Sequence, residues 1–358
     1  KTKPTQHSVR ELRAIGIRPN LIVARGTSPI SPDIKAKISL FCDVPPEAVI
    51  SVPDQSTIYE VPLVLEAQGV GAFLTRLLGL PEREPDFAAW KEFLDTYRSD
   101  RARLEVAVVG KYTELHDAYL SHIEAFHHVQ GRLGATISLT WFDAEDLPRN
   151  PGALGRVRRA GALLVPGGFG ARGVEGKLLA IEIARTQGIP FLGVCYGFQM
   201  AAVEIARNRL GLVGANTTEV DPAGPEPVVC LLEDQKGVHQ LGGTMRLGAQ
   251  PVRLRPGSRI AEIYGRTEIV ERHRHRYEIN PSYADRLGSV GFEATGHAPD
   301  GRIEVLELND HPFFFGVQYH PEFRSRPEAP HPLYLELVRA ALARKEVPSP
   351  AATASARA

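Results

Sequence analysis

The sequence predicts an α/β protein built on a mostly parallel sheet with helices on both faces, and three observations carry that prediction. From Leu104 onward, short apolar runs alternate with amphipathic segments in the order strand, helix, strand, loop, strand, helix, strand, helix, the pattern of a parallel sheet covered on both sides. Glycine-rich breaks stand at two strand-to-helix junctions, 166–173 and 193–197, where open α/β sheets carry their ligand loops. The composition is that of an ordinary globular protein long enough for two domains: 358 residues, 43% hydrophobic and 23% charged, with 42 basic against 42 acidic side chains.

In chain order, residues 8–15 have helical spacing, 20–24 and 37–42 read as short buried strands, and 60–80 form an apolar helix ending at Gly79. Residues 81–103 are charged, carry Pro81 and Pro85, and hold one amphipathic helix, so they read as a linker. The main pattern follows: strand LEVAVVG, helix 117–130, strand TISLTWF, a loop, strand GALLVPGG, helix 175–187, strand IPFLGV and helix 197–208. Residues 226–320 are rich in strands and turns and imply an antiparallel extension. The strand FFFGVQYH and a helix over 332–344 close the body, and 346–358 are biased enough in composition to be a disordered tail. The resulting domains are 1–80, linker 81–103, 104–345 and the tail 346–358.

Balanced charge disfavours a general nucleic-acid binder or an acidic-membrane binder, while leaving room for local basic sites. Four of the nine lysines, Lys1, Lys3, Lys35 and Lys37, crowd into the first 37 residues, where compact hydrated cations would suit an anionic ligand or simply a solvated helix face. Cys42, Cys195 and Cys230 form no C-x-x-C and no zinc-type spacing, so a disulfide scaffold is excluded and a reducing cytoplasm is the expected compartment. No apolar run reaches 18 residues and the N-terminus KTKPTQHSVR has no signal-peptide character, so no membrane role is expected. Position 1 is Lys and the two methionines are Met200 and Met245, which suggests numbering that starts inside a longer gene product.

The chemistry concentrates in three places. The segment Gly193-Val-Cys195-Tyr196-Gly197 lies between a strand and a helix, the arrangement of a nucleophile elbow with Cys in place of Ser. A lone cysteine is more often a buried structural side chain, but flanking glycines at this break reverse that reading for Cys195. Cys42 and Cys230 have no such context and read as structural, mid-strand. His320-Pro321-Glu322 follows a buried strand and supplies a base with a carboxylate to orient it. Val165 to Gly173 is glycine-rich and can offer backbone N–H groups to an oxyanion or phosphate. No G-x-x-x-x-G-K-[ST] phosphate loop occurs.

Together these motifs resemble the class I glutamine amidotransferases, and the surrounding segments narrow the resemblance to the CTP synthase family across residues 1–345. The signatures are Lys1-Thr2-Lys3-Pro4-Thr5-Gln6, Ala36-Lys37-Ile-Ser, Ser56-Thr-Ile-Tyr-Glu-Val-Pro62, Val109-Gly-Lys-Tyr112 with Asp117-Ala-Tyr119, Gly242 to Gly248, and Glu271-Arg-His-Arg-His-Arg276-Tyr-Glu278. The resemblance implies an amidotransferase-like α/β fold preceded by the tail of a P-loop-type α/β amidoligase domain, whose magnesium ligands are expected upstream of Lys1. It implies that Cys195 attacks the side-chain amide of L-glutamine, that His320 moves the protons and that Glu322 orients His320. Ammonia would pass through a covered passage to a site where ATP activates UTP for conversion to CTP.

The family's glutamine contacts fall on Gly168, Tyr196, Gly197, Phe198, Gln199, Glu219 and Arg276. Its UTP/CTP contacts fall on Lys1, Thr2, Lys3, Pro4, Thr5, Gln6 and Lys37, and its ATP contacts on Pro53, Asp54 and Gln55. Two departures stand out: Tyr196 occupies a position more often aliphatic, and VPDQS differs from the usual ATP-contact pattern. The resemblance further implies Mg2+ with ATP, GTP as allosteric activator, CTP as feedback inhibitor and a homotetramer. Two other readings remain at this stage: a γ-glutamyl-type Cys-His-Glu hydrolase, and a non-catalytic nucleotide-binding or filament-forming module.

Overall fold

The computed structural model describes residues 2–111, 113, 115–231 and 245–346. Lys1, Tyr112, Gly242 to Thr244 and the tail past residue 346 lie outside the described residues. The chain divides into two compact units, one up to Leu94 and one from Asp95 onward.

The first unit contains α1 (Lys3–Ala14), β1 (Ile22–Gly26), α2 (Pro32–Cys42), β2 (Val49–Pro53), α3 (Val61–Glu66), α4 (Val70–Leu77) and the start of α5 (Ala88–Tyr97). Strands β1 and β2 pair in parallel, Ile22 opposite Val49, over a core that includes Val9, Ile38 and Cys42. The expected strand at 37–42 is instead the C-terminal half of helix α2. Ser31 caps this helix by accepting from Ile34 N, and Pro32 opens its first turn, both strong helix-start signals. Its buried residues Ile38 and Cys42 are four apart while Leu40 and Phe41 are exposed, a helical period that a six-residue apolar run does not reveal. Cys42 therefore ends a helix rather than sitting mid-strand.

The single helix expected over 60–80 is two, broken at 67–69, where Gly69 takes a left-handed φ of 73°. The break lets Gln68 pair with β2 like an extra strand: its amide accepts from Ser51 N at 3.0 Å and donates to Ser51 O at 2.8 Å. Helix α5 lies within 81–103 and begins packed on the first unit, where Trp90 Nε1 donates to Tyr59 O at 2.8 Å and Phe93 meets the Tyr59 ring edge-on at 5.0 Å.

In the second unit the order is β3 (Ala102–Gly110), α6 (Leu120–Leu133), β4 (Ala135–Asp143), α7 (Pro151–Arg159), β5 (Ala162–Val165), α8 (Val174–Gln187), β6 (Phe191–Val194) and α9 (Tyr196–Asn208). Then come β7 (Ala215–Thr217), β8 (Glu226–Cys230), β9 (Arg246–Leu254), α10 (Arg259–Tyr264), β10 (Glu268–His275), β11 (Glu278–Ile279), α11 (Ala284–Ser289), β12 (Phe292–His297), β13 (Ile303–Leu308), β14 (Phe314–Val317) and α12 (Pro332–Glu346). Helix α7 lies in the expected loop; Asn150 caps it through Ala153 N at 3.0 Å and Pro151 begins it. Cys230 ends β8 rather than sitting mid-strand.

The main sheet of described residues runs β10-β9-β12-β13-β14-β6-β5-β3-β4. Strands β14, β6, β5, β3 and β4 pair in parallel, and β13, β12, β9 and β10 extend the sheet antiparallel. A separate sheet has the order β11-β8-β7. Every residue of β5, β6 and β14 is buried, as expected for strands covered on both faces. The segments following these three neighbouring strands, at 166–173, 195 and 318–322, emerge at one edge of the sheet, the carboxyl edge where such sheets place ligands.

Candidate active site

Cys195 stands at the second of these junctions, after β6, with a backbone that only a built turn imposes. Its φ is 53° and ψ −100°, a left-handed φ that a non-glycine residue adopts at a cost of about 1–3 kcal/mol. The flanking glycines make the turn possible through close approach. A Cβ on Gly197 would lie 1.9 Å from Val165 O, and one on Gly193 would lie 2.7 Å from Gly197 O. Cys195 N donates to Val317 O at 2.8 Å, which fixes the turn to β14. The thiol immediately precedes the N-terminus of α9.

His320 is anchored by its backbone N, which donates to Arg272 O at 2.8 Å. Its Nδ1 meets Glu322 Oε1 at 2.7 Å, and its ring lies against Gly167, where a Cβ would come 3.1 Å from Cε1 and 3.7 Å from Cys195 Cβ. Burial opposes an imidazolium here, but the Glu322 carboxylate and the Cys195 thiolate outweigh it and raise the pKa of His320 well above its usual value. Burial would raise the Glu322 pKa, but His122 and His320 beside it carry it down to about 2. The three groups share a 260 Å³ cavity with Gly168, Phe169 and Arg274. A thiol, an imidazole and a carboxylate thus stand together, a set that could serve as nucleophile, acid–base group and orienting partner.

The glycine-rich loop is pinned from three directions. Tyr196 Oη donates to Gly170 O at 2.7 Å, Glu219 Oε1 accepts from Gly170 N at 2.6 Å, and Lys111 Nζ donates to Phe169 O. Burial raises the pKa of Glu219, opposed by that backbone N–H and by the charges of Lys111 and Arg276. Tyr196 has Lys177 Nζ 5.4 Å from its ring centroid; Lys177 is itself buried, with its pKa lowered to about 8, chiefly by burial.

The structure thus brings Cys195, His320, Glu322 and Gly168 around one cavity and places Tyr196, Gly197, Glu219 and Arg276 next to it in sequence or charge. Two further expected glutamine contacts, Gln199 and Phe198, have buried side chains. Gln199 is buried and its amide donates to Tyr277 O at 2.8 Å and to Gln318 Oε1 at 3.1 Å, and Phe198 is a core side chain packed on Gly316. Side chains that no motif marked also belong to the site: His122 on α6, whose Nε2 is 3.5 Å from Glu322 Oε1, Tyr334 on α12 behind it, and Lys177.

In the first unit, Lys3 and Gln6 line a 530 Å³ cleft with His7, Arg10, Arg13 and Phe41. Thr2 accepts from Gln6 Nε2 at 3.1 Å, Pro4 and Thr5 continue the first turn of α1, and Lys37 stands one turn before Phe41 on α2. Lys35 instead donates to Gln68 Oε1 at 3.4 Å. Pro53, Asp54 and Gln55 line a second cleft, of 510 Å³, with Arg25 and Ile58; Asp54 pairs with Arg25 at 3.2 Å and Gln55 Nε2 donates to Pro53 O at 2.7 Å.

Among the described residues, His273, His275 and Glu304 are buried with donor atoms close enough to hold a metal. They are wired to one another instead: His273 Nδ1 meets His275 Nε2 at 3.0 Å, His275 Nδ1 faces Tyr277 O at 3.2 Å, and Glu304 pairs with Arg246. Two ring nitrogens and a guanidinium do not suit Mg2+, which takes oxygen ligands. No helix among the described residues is long and apolar enough to cross a membrane.

Comparison with known proteins agrees with this geometry. The profile of the family described as "Glutamine amidotransferase class-I" matches residues 114–340, and the chain belongs to that family. Residues 1–80 match "CTP synthase N-terminus". The CTP synthase of Thermomicrobium roseum is 50% identical over 339 residues, 94% of this chain and 61% of that protein. The CTP synthase of Thermococcus gammatolerans is 51% identical over 347 residues, 96% of this chain and 65% of that protein. The solved glutaminase domain of Trypanosoma brucei CTPS, with bound acivicin, is 36% identical with a TM-score of 0.63, covering 69% of this chain and 96% of that domain. Within the amidotransferases, then, this is a chain of the CTP synthase family, and it spans less than two thirds of the length of these two whole relatives.

Proposed function

We propose that this chain carries the glutamine-hydrolysing half of a glutamine-dependent CTP synthase, together with the end of its amidoligase half. The observation that carries the reading is Cys195 held at a left-handed φ in one cavity with a His320–Glu322 pair at 2.7 Å. The Cys195 thiolate attacks the amide carbon of glutamine, and the resulting oxyanion is met by the backbone N–H groups of Gly168 and Tyr196. His320 gives its proton to the departing nitrogen, releasing ammonia and leaving a thioester. His320 then takes a proton from water, which attacks the thioester to free glutamate and restore the thiol. Glu219 and Arg276 suit the substrate's ammonium and carboxylate, the latter through a guanidinium fork.

The released ammonia aminates UTP at the expense of ATP. Lys3, Gln6 and Lys37 meet the pyrimidine nucleotide and Pro53 to Gln55 meet ATP, and the basic cleft of α1 supports the first assignment. GTP activation, CTP inhibition, a homotetramer and a cytoplasmic setting complete the reading. In the complete enzyme, Cys195→Ala should abolish glutamine-dependent CTP formation while ammonia-dependent formation survives, as read by the absorbance change of UTP conversion. Loss of both would sink the assignment of two separate sites.

A further inference from the structure

Helix α6 turns His122, Ala125, Phe126 and Val129 inward, a face on which burial alone would be served by an aliphatic residue. His122 is 5% exposed, and its two ring nitrogens both have polar partners on other elements. Nε2 is 3.5 Å from Glu322 Oε1 and Nδ1 is 2.5 Å from Tyr334 Oη on α12. His320 Nδ1 approaches the same Oε1 at 2.7 Å, whereas Glu322 Oε2 has no hydrogen-bond partner among the described residues. Two imidazoles therefore converge on one oxygen of a carboxylate that is 2% exposed, and a carboxylate so buried is costly without such donors.

The tautomer follows from Tyr334. Its hydroxyl is fully buried and keeps its proton, and because the ionised Glu322 facing Nε2 can only accept, Nδ1 is the ring nitrogen left to accept from Tyr334. The ring proton of His122 is then on Nε2, aimed at Glu322. Burial lowers the pKa of His122, so the ring donates while uncharged. Donating from Nε2, the ring holds the carboxylate in place beside His320.

We infer that His122, with its tautomer set by Tyr334, is a positioning residue that fixes Glu322 as the charged partner of His320. The inference rests on the Cys195–His320–Glu322 reading above. It extends that set into a chain from Tyr334 through His122, Glu322 and His320 to Cys195, built from elements more than 200 residues apart.

The test measures kcat and KM for glutamine hydrolysis and the rate of Cys195 alkylation by iodoacetamide, using the full 358-residue chain. His122→Leu should lower kcat by about 10- to 100-fold, the scale seen when a partner that orients a functional ligand is removed, with KM unchanged and alkylation slowed in step. His122→Gln, which keeps an N–H near the Nε2 position, should recover most of the loss. Tyr334→Phe should act in the same sense but less, because the ring remains while its tautomer is released. The double variant His122→Leu/Tyr334→Phe strands no hydroxyl and should stay as slow as His122→Leu.

Recovery of kcat in the double variant would assign the loss to an unsatisfied Tyr334 and overturn the inference, as would wild-type kcat and alkylation in His122→Leu. If His122→Leu does not fold, Tyr334→Phe with wild-type kcat and alkylation overturns it. His320→Ala serves as reference: alkylation and hydrolysis indifferent to His320 would mean that the triad reading itself has failed, an outcome distinct from indifference to His122 alone.

Discussion

The two units of this chain treat charge in opposite ways. In the first, cations stay hydrated: Arg25 and Asp54 form a 3.2 Å pair with side chains 86% and 49% exposed, and Lys3 and Lys37 stand at the surface. In the second, charge is taken inside: Glu322 and Glu204 are partnered there, the latter by Arg185 at 2.7 Å, while Lys177 is buried against the Tyr196 ring with no hydrogen-bond partner among the described residues. Cations left at a surface lose nothing by remaining solvated, since water screens them and keeps them free. Groups whose protonation must be set before a reaction need a dry site, where a fixed neighbour shifts a pKa by units rather than tenths.

The largest test of that contrast is at the buried carboxylate. Glu322→Gln keeps shape and removes charge, so His320 loses the partner that holds its imidazolium; kcat for glutamine hydrolysis should fall about 10³- to 10⁴-fold with the denaturation midpoint largely kept. A fall of less than tenfold would mean that the buried charge is structural rather than chemical.

Lys177 gives the next largest effect, on stability. Burial, then the charge of Lys111, lowers its pKa from 10.5 to about 8 in the folded chain. Between those values the unfolded state binds the proton and the folded state does not, so stability should rise with pH across that window, by at most about 3 kcal/mol. Below pH 8 both states are protonated and the cost of the buried ammonium is constant. Lys177→Met should remove the rise, read as the difference in urea-unfolding free energy between the two proteins below pH 8 and near pH 10.5. Identical slopes would show that Lys177 is effectively solvated and erase the contrast at that position.

Tyr196→Phe removes one half-buried hydrogen bond to Gly170 and should cost about 1 kcal/mol of stability, with a lower kcat if the loop must be held for the oxyanion. The smallest effect belongs to the exposed pair: Arg25→Ala should change unfolding free energy by less than about 0.5 kcal/mol. A larger loss would move this pair into the class of the buried ones.

Most of the site was readable where its determinants are contiguous. Gly193, Cys195 and Gly197 announce a strand-to-helix turn because each glycine answers a clash within that turn or with the next strand, and Pro321 ties His320 to Glu322 two residues away. Local signals that were present but outweighed explain the misread elements. Ser31-Pro32 and Asn150-Pro151 are helix starts, but the apolar run 37–42 looked equally like a strand and 144–160 looked like a loop. The 60–80 helix concealed a break that only the Gln68 amide, paired to β2 across 17 residues of sequence, makes favourable. Gln199 matched a motif, and the packing that sets its amide on Tyr277 and Gln318 is something no local pattern reports.

What the sequence by itself determined was the alternating order of strands and helices, the placement of glycine loops at strand ends, and the identity of a thiol, an imidazole and a carboxylate fit for amide hydrolysis. These depend on backbone sterics and side-chain chemistry that act over a few residues. The tertiary structure alone decided which strands are neighbours, and hence that the segments after β5, β6 and β14 meet at one edge. It alone set His122 and Tyr334 behind Glu322 and buried Lys177 beneath Tyr196. Those outcomes arise from desolvation and contact between residues far apart in the chain, and a buried charge acquires its pKa only once its neighbours have been assembled around it.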